Sequence, residues 1–266
     1  MGANIINFIL SILTPKVFVK LLAYFILFIF IIFLHHQAKN LKEFYKRFFS
    51  LISIDLTGRL LSLFISLYIL LPYIKLIKPF ELVSIKSMNI PMYSKVVIGL
   101  LLVDFFQYLT HRLHHRVPIL WRLHRLHHFD KLVNALTVLS NHPLEAFSMF
   151  ILHTFLYVVL DIPLECIYYY TFIAAFHGPV GHSKIKLPKK LEKYLSTIFV
   201  TPSFHRIHHL VYMKEGNSNF GGILSIWDKL LSTATYESNK PIIYGISKEQ
   251  SPRNYRFLDL ILNPMK

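Results

Sequence analysis

The chain has 266 residues, 54% of them hydrophobic and 16% charged, with 29 lysines and arginines against 14 acidic residues for a net charge of +15. That apolar share, with a mean hydropathy of +0.46, exceeds the soluble norm and reads as one integral membrane domain, residues 1–266. The single cysteine, Cys166, excludes an internal disulfide and any multi-cysteine zinc or iron–sulfur site, and basic residues scattered between greasy segments fit headgroup contact rather than nucleic acid.

No cleavable signal peptide is expected, because Lys16 and Lys20 follow the first apolar stretch and no small-residue cleavage site succeeds the second. Met1-Gly2 is a poor myristoylation start, since Ile6 stands where Ser or Thr is wanted. Attachment is therefore expected from spans. Residues 17–34 are almost purely apolar and form the first, with His35 and His36 at its interfacial end. Residues 48–74 form the second and hold Asp55 and Arg59 at i and i+4, a structural charge pair on one helix face. Residues 94–109 form the third and lead straight into a histidine cluster.

Two shorter apolar stretches follow, residues 145–160 and 164–176, separated by Asp161, Pro163 and Glu165. They read as a helical hairpin that enters the bilayer and returns, bringing His177 and His182 to the face that carries the other histidines. Residues 183–266 are polar enough to lie outside the membrane. The expected fold is all-α, a polytopic membrane protein with about three spanning helices, a helical hairpin and a histidine-rich cytosolic cap. Residues 1–94 supply N-terminal spans and residues 95–240 the histidine-rich region. Arg112, Arg116, Arg122, Arg125 and Lys131 place that region on the cytoplasmic face, at the plasma membrane in a bacterium or the endoplasmic reticulum in a eukaryote.

Nine of the fifteen histidines fall in three clusters, 111–115, 124–128 and 205–209. Residues at i, i+3 and i+4 project from one helix face, so His124, His127 and His128 are expected to form one imidazole patch and His205, His208 and His209 another. His111 and His115 make an i, i+4 pair, with His114 off that line. One catalytic zinc uses about three protein ligands, so two metal ions fit the count better. Iron suits imidazole and dioxygen chemistry, while zinc and manganese stay open on sequence alone. His153, inside an apolar helix, is expected to bond a neighbouring helix. Trp121 and Trp227 are expected to pack rather than react. His142, before Pro143 and Glu145, reads as a helix start. Asp104, two turns before His111, is expected to orient a ligand imidazole, and Asn219 to reach a metal directly or through water.

The residues Asp104-x-x-x-Tyr108-x-x-His111-Arg112-x-x-His115, Leu120-Trp121-x-x-His124-x-x-His127-His128, Thr201-Pro202-x-x-His205-Arg206-x-His208-His209, Asn219-Phe220-Gly221 and Trp227-Asp228 resemble the fatty acid hydroxylase and sterol desaturase superfamily. The resemblance spans about residues 104–233. It implies a membrane-bound, non-haem enzyme with two iron ions that uses dioxygen to hydroxylate or desaturate a lipid, fatty acyl, sterol-like or related. It implies metal ligands at His111, His115, His124, His127, His128, His205, His208 and His209, a further one at His182 in His182-Ser183-Lys184, and a tenth candidate at His177. It equally implies a place near the site for His142. Phe220 departs from the usual Tyr, and Leu231-Ser232-Thr233 from a Phe-Gly-Thr ending, which bears on substrate class more than on metal binding. No dinucleotide fingerprint or P-loop is present, so electrons are expected from a separate reductase or small electron carrier. The alternative is a non-catalytic metal-binding membrane protein with structural zinc; clusters beyond the span ends, away from the midplane sites of transporters, weigh against it.

Overall fold

The structure is a computed structural model that describes residues 41–246 and 256–262. The expected first span, residues 17–34, and His35 and His36 lie outside the described residues. Those described are helical, joined by loops with two isolated β-bridges, Phe199 with Leu224 and Leu210 with Tyr244.

Helix α1 (Leu41–Tyr68) has 28 residues, about 42 Å at a rise of ~1.5 Å per residue. After Ile69 the chain continues as α2 (Leu70–Ile77). The expected second span thus falls on two consecutive helices, and the break has a cause. Pro72 lacks the N–H that would bond the Tyr68 carbonyl, and its ring crowds that carbonyl. The Asp55–Arg59 pair forms as expected, with Arg59 Nε 2.5 Å and its Nη2 3.1 Å from the two carboxylate oxygens.

Helix α3 (Met92–Arg116) contains the first histidine cluster in its last two turns. Val117, extended because Pro118 follows, separates it from α4 (Pro118–His128), which starts on that proline. Helices α5 (Pro143–Val159) and α6 (Leu164–His182) are the hairpin, turning at Asp161, whose φ is +41°. Helix α6 runs past the expected residue 176, through Pro179, and ends on His182. Five short helices follow: α7 (Lys189–Leu195), α8 (Pro202–His208), α9 (Met213–Gly216), α10 (Ile226–Leu230) and α11 (Phe257–Leu262).

Helix α1 lies along α5, and α3 packs against α4 and α6. One apolar core joins Leu51 and Ile54 of α1 to Leu126 of α4, Leu136, Leu139 and Leu260 of α11. A second joins Val103 and Phe106 of α3 to Ile162, Cys166 and Tyr170. Arg47 of α1 forms a buried ion pair with Asp130, just beyond α4, and Thr137 donates to the same carboxylate at 2.6 Å. These contacts clamp the end of α4 between α1 and the loop before α5.

Among the described residues α3 alone is long and apolar enough to cross a membrane, and α5 is apolar but shorter at 17 residues. Large apolar side chains stand exposed on α1 (Phe49, Leu56, Leu60, Phe64), on α3 (Val97, Leu101), on α5 (Phe155) and on α6 (Ile173).

Candidate metal centre

The helices bring nine histidines into two groups: His111, His115, His124, His128 and His208, and His127, His182, His205 and His209. Within each group, the candidate ligand atoms all lie within 4.8 Å of one another. Each H-x-x-H-H cluster is therefore divided between two groups, a correction to the expectation of one patch per cluster. At about 100° per residue, i+4 returns to within roughly 40° of i, while i+3 falls about 60° to the other side. The i, i+4 pairs 111/115, 124/128 and 205/209 stay together, and His127 and His208 cross to the other group.

The hydrogen bonds of the rings decide what their nitrogens offer. His111 Nδ1 donates to the Phe220 carbonyl at 2.8 Å, His208 Nδ1 to the Ser218 carbonyl at 2.6 Å and His182 Nδ1 to the Gly178 carbonyl at 2.8 Å. His124 Nδ1 donates to Glu145 Oε1 at 2.6 Å. A carbonyl oxygen only accepts, so Nδ1 carries the proton in the first three, and the carboxylate selects the same tautomer in His124. Their Nε2 atoms then carry lone pairs. Yet His111 Nε2 lies 3.1 Å from both His124 Nε2 and His208 Nε2. Lone pairs converging at that distance repel unless a cation lies between them.

In the second group, His182 Nε2 is 3.0 Å from His127 Nε2 and 2.9 Å from His205 Nε2. Two nitrogens bound about 2.1 Å from one ion at right angles stand about 3.0 Å apart, so both groups fit a metal. His115 Nε2 is buried with no partner among the described residues, which fits a ligand atom as well.

Burial pushes His124 down to about 3 and His182 down to about 4. Burial first, and neighbouring imidazoles second, hold His127, His128, His205, His208 and His209 well below the ordinary histidine value. At neutral pH these rings are uncharged, the form that binds metal. Trp121 covers His115 and His128, with ring centroids 5.0 and 5.5 Å away, and Phe220 lies edge-on to His115 at 5.1 Å. Indole and phenyl thus close one wall against water.

His177 belongs to neither group and lines the cavity beside them. Asp104 touches no imidazole. Its carboxylate accepts from Tyr170 Oη at 2.7 Å, Trp227 Nε1 at 2.8 Å and the Ile223 and Leu224 amides at 3.0 and 3.1 Å. All four donors fill its lone pairs, so the expected imidazole contact gives way to an anchor for the loop after Gly221.

Asn219 is corrected likewise. Its side chain donates to the Phe204 and Thr235 carbonyls and accepts from the Thr235 amide, so both its nitrogen and its oxygen are engaged in tying the loop. Its φ of +59° is a left-handed turn that asparagine tolerates. Asp228 completes the scaffold, accepting the Phe220 and Gly221 amides at 2.8 Å each. A Cβ on Gly221 would stand 2.5 Å from the Leu224 carbonyl, which explains glycine there. Asn219, Gly221, Asp228 and Asp104 together aim the Ser218 and Phe220 carbonyls at His208 and His111. The missing Tyr hydroxyl at 220 is immaterial to that task, because the backbone performs it.

His142 is the N-cap of α5. It accepts from the Leu144 amide, while Glu145 accepts from the His142 amide in a capping box. It acts on the imidazoles only through Glu145. Sequence reasoning passed over Glu145 as a partner of His124, although a carboxylate at the third residue of a proline-started helix was the available signal. His114 is fully buried, bonded to the Thr110 carbonyl and to Ser148 Oγ. His153 bonds Thr110 Oγ1 on α3 at 2.9 Å, the interhelical contact expected.

Glu145→Gln tests the brace on His124. A glutamine offers one acceptor oxygen where Glu145 uses two, so either His124 or the His142 amide loses its partner. Iron affinity, measured by chelator competition, is expected to fall about 10- to 100-fold, while His153→Ala leaves it unchanged.

The family model for fatty acid hydroxylase matches residues 96–233. An ornithine lipid hydroxylase of Rhizobium tropici is 36% identical over 146 residues, 54% of this chain and 42% of that protein. An alkylglycerol monooxygenase of Danio rerio is 32% identical over 145 residues, 54% of this chain and 31% of its own. The human alkylglycerol monooxygenase is 29% identical over 196 residues, 74% of this chain and 42% of its own. The matches thus cover less than half the length of these curated relatives. No solved structure matches the chain.

Proposed function

The chain belongs to the fatty acid hydroxylase family, and from that premise we propose that it is a membrane-bound, non-haem oxygenase that hydroxylates a lipid with dioxygen. The observation that carries this is the convergence of lone-pair nitrogens, five imidazoles in one group and four in the other. His111, His115, His124, His128 and His208 hold one iron ion, and His127, His182, His205 and His209 the second. Bound there, the two ions supply the redox chemistry that activates dioxygen.

The protein's own residues do the rest. Glu145 and the Phe220, Ser218 and Gly178 carbonyls hold the Nδ1 protons of His124, His111, His208 and His182 in place, so the Nε2 atoms of these four keep their lone pairs and their direction. Trp121 and Phe220 exclude water. Hydroxylation rather than desaturation is favoured because the relatives named above are a hydroxylase and monooxygenases. The reaction consumes one dioxygen, two electrons and two protons, placing one oxygen atom in the lipid and the other in water. A separate reductase or small electron carrier delivers the electrons.

The chain is read as multi-pass, with its histidines on the cytoplasmic face. Exposed apolar side chains on α1, α3, α5 and α6 support a lipid-facing girdle, and the arginines around α4 support the orientation. The test is metal analysis of purified protein together with turnover under isotopically labelled dioxygen. About two irons per chain and one labelled atom per product lipid are expected. One tightly held zinc without turnover would establish the structural-zinc alternative instead.

A further inference from the structure

Beside both imidazole groups lies a cavity of about 250 Å³, lined by His111 and His124 of the first and His127, His182 and His205 of the second. Pockets for whole drug-sized molecules begin near ~300 Å³, so this chamber takes a segment of a lipid, with the remainder outside it. Part of its wall is apolar, as at Val138 and Met149. Five polar side chains that belong to neither imidazole group also line it; Glu145 and Tyr170 are bonded to His124 and Asp104, and the others are Gln107, Asn141 and His177.

Gln107 stands one turn before His111 on α3, on the same helix face. Its side-chain amide has two donor hydrogens and an acceptor oxygen, and none finds a partner among the described residues. Asn141 spends one donor hydrogen on the Val138 carbonyl at 2.8 Å and keeps its oxygen unpartnered. His177 brings an imidazole from α6. His177 already has a hydrogen bond to the Val200 backbone, but a hydrocarbon segment filling the chamber would leave the Gln107 amide and the Asn141 oxygen desolvated and unbonded, an unfavourable arrangement. A hydroxyl, ether, ester or amide group would satisfy them.

We propose that Gln107, Asn141 and His177 receive the polar end of the lipid substrate, so that the oxidised C–H lies within a few bonds of the headgroup and not in mid-chain. This rests on the oxygenase reading of the same site. Gln107 is then a specificity-determining residue. Gly181 sets the width of the chamber: it lines the wall, and a Cβ added there meets nothing within 4 Å.

The probe is 1-O-hexadecylglycerol, with hexadecane as the chain lacking a polar end, and the full chain is studied in lipid nanodiscs. For the metal-free protein, hexadecylglycerol is expected to raise the melting temperature and hexadecane not to. Gln107→Leu is expected to weaken that binding about tenfold, the value of one lost neutral hydrogen bond. Gln107→Asn retains part of it. With iron bound, Gln107→Leu is expected to raise KM by a similar factor with a smaller change in kcat and unaltered iron content. Gly181→Leu is expected to abolish probe binding while the protein still retains iron. Mass spectrometry of lipids oxidised by the unaltered protein is expected to place the new oxygen next to the headgroup. Mid-chain oxidation, equal binding of both probes, or unchanged binding in Gln107→Leu would each overturn the proposal. Iron-loaded protein that oxidises no lipid overturns the oxygenase reading instead, and the metal-free binding comparison still decides this one.

Discussion

Replacing His208 by alanine is expected to remove one of two iron ions and all measurable lipid oxidation. The side chain is fully buried, its Nδ1 donates to the Ser218 carbonyl at 2.6 Å, and its Nε2 faces His111 Nε2 at 3.1 Å. Alanine takes away a ligand nitrogen and leaves a hole too polar to close, since the Ser218 carbonyl loses its donor. Outer partners of metal ligands alone are worth about 10- to 100-fold in affinity, so loss of the ligand itself is expected to cost at least ~100-fold. Because the second group does not contain His208, iron is expected to fall from about two per chain toward one. His205→Ala is expected to empty the other group in the same way. His177→Ala, outside both groups, is expected to keep both irons. Elemental analysis alongside product formation checks all three, and His208→Ala protein that retains two irons and turnover would remove His208 from the centre.

The parts of this site that could be read in the sequence are those in which a side chain's identity and its helical spacing are enough. Nine of the ten histidines expected as ligands meet in space, and for the pairs 111/115, 124/128 and 205/209 the i, i+4 spacing on a helix leaves little freedom in where an imidazole points. The hairpin was equally legible, since Asp161, Pro163 and Glu165 interrupt the only apolar run of that length in the second half of the chain. The division of His127 from His128, and of His208 from His209, was not. It depends on which face of α4 meets α8, a tertiary relation that spacing does not encode. The acceptors that fix the rings were hidden for a different reason. Three of the four are backbone carbonyls, of Phe220, Ser218 and Gly178, and a carbonyl has no signature in the sequence. What can be read are the side chains that hold those carbonyls in place, although Asp104 reads in the sequence as orienting a ligand imidazole and Asn219 as reaching a metal directly or through water.

Asp104 offers the sharpest test of that distinction. Its carboxylate, 2% exposed, is the shared acceptor for Tyr170, Trp227 and two loop amides. Asp104→Ala would leave four buried donors with no acceptor, at about 1–3 kcal/mol each before relaxation, against a typical total stability of about 5–15 kcal/mol. That variant is expected not to accumulate in folded form. Asp104→Asn keeps one acceptor oxygen but sets an NH₂ group against donors, and is expected to lose about 3 kcal/mol. The loss should appear as a lower melting temperature in metal-free and iron-loaded protein alike, because the damage lies in the anchoring of residues 219–224. Iron affinity falls as a consequence, through the Phe220 carbonyl that no longer holds His111 Nδ1. A carboxylate acting directly on an imidazole predicts a different pattern, with metal-free stability nearly unchanged and only iron binding impaired. Thermal unfolding of Asp104→Asn with and without iron separates the two. Equal destabilisation in both states would assign Asp104, with Asp228 and Asn219, to a scaffold whose purpose is to aim two carbonyl oxygens at two histidines.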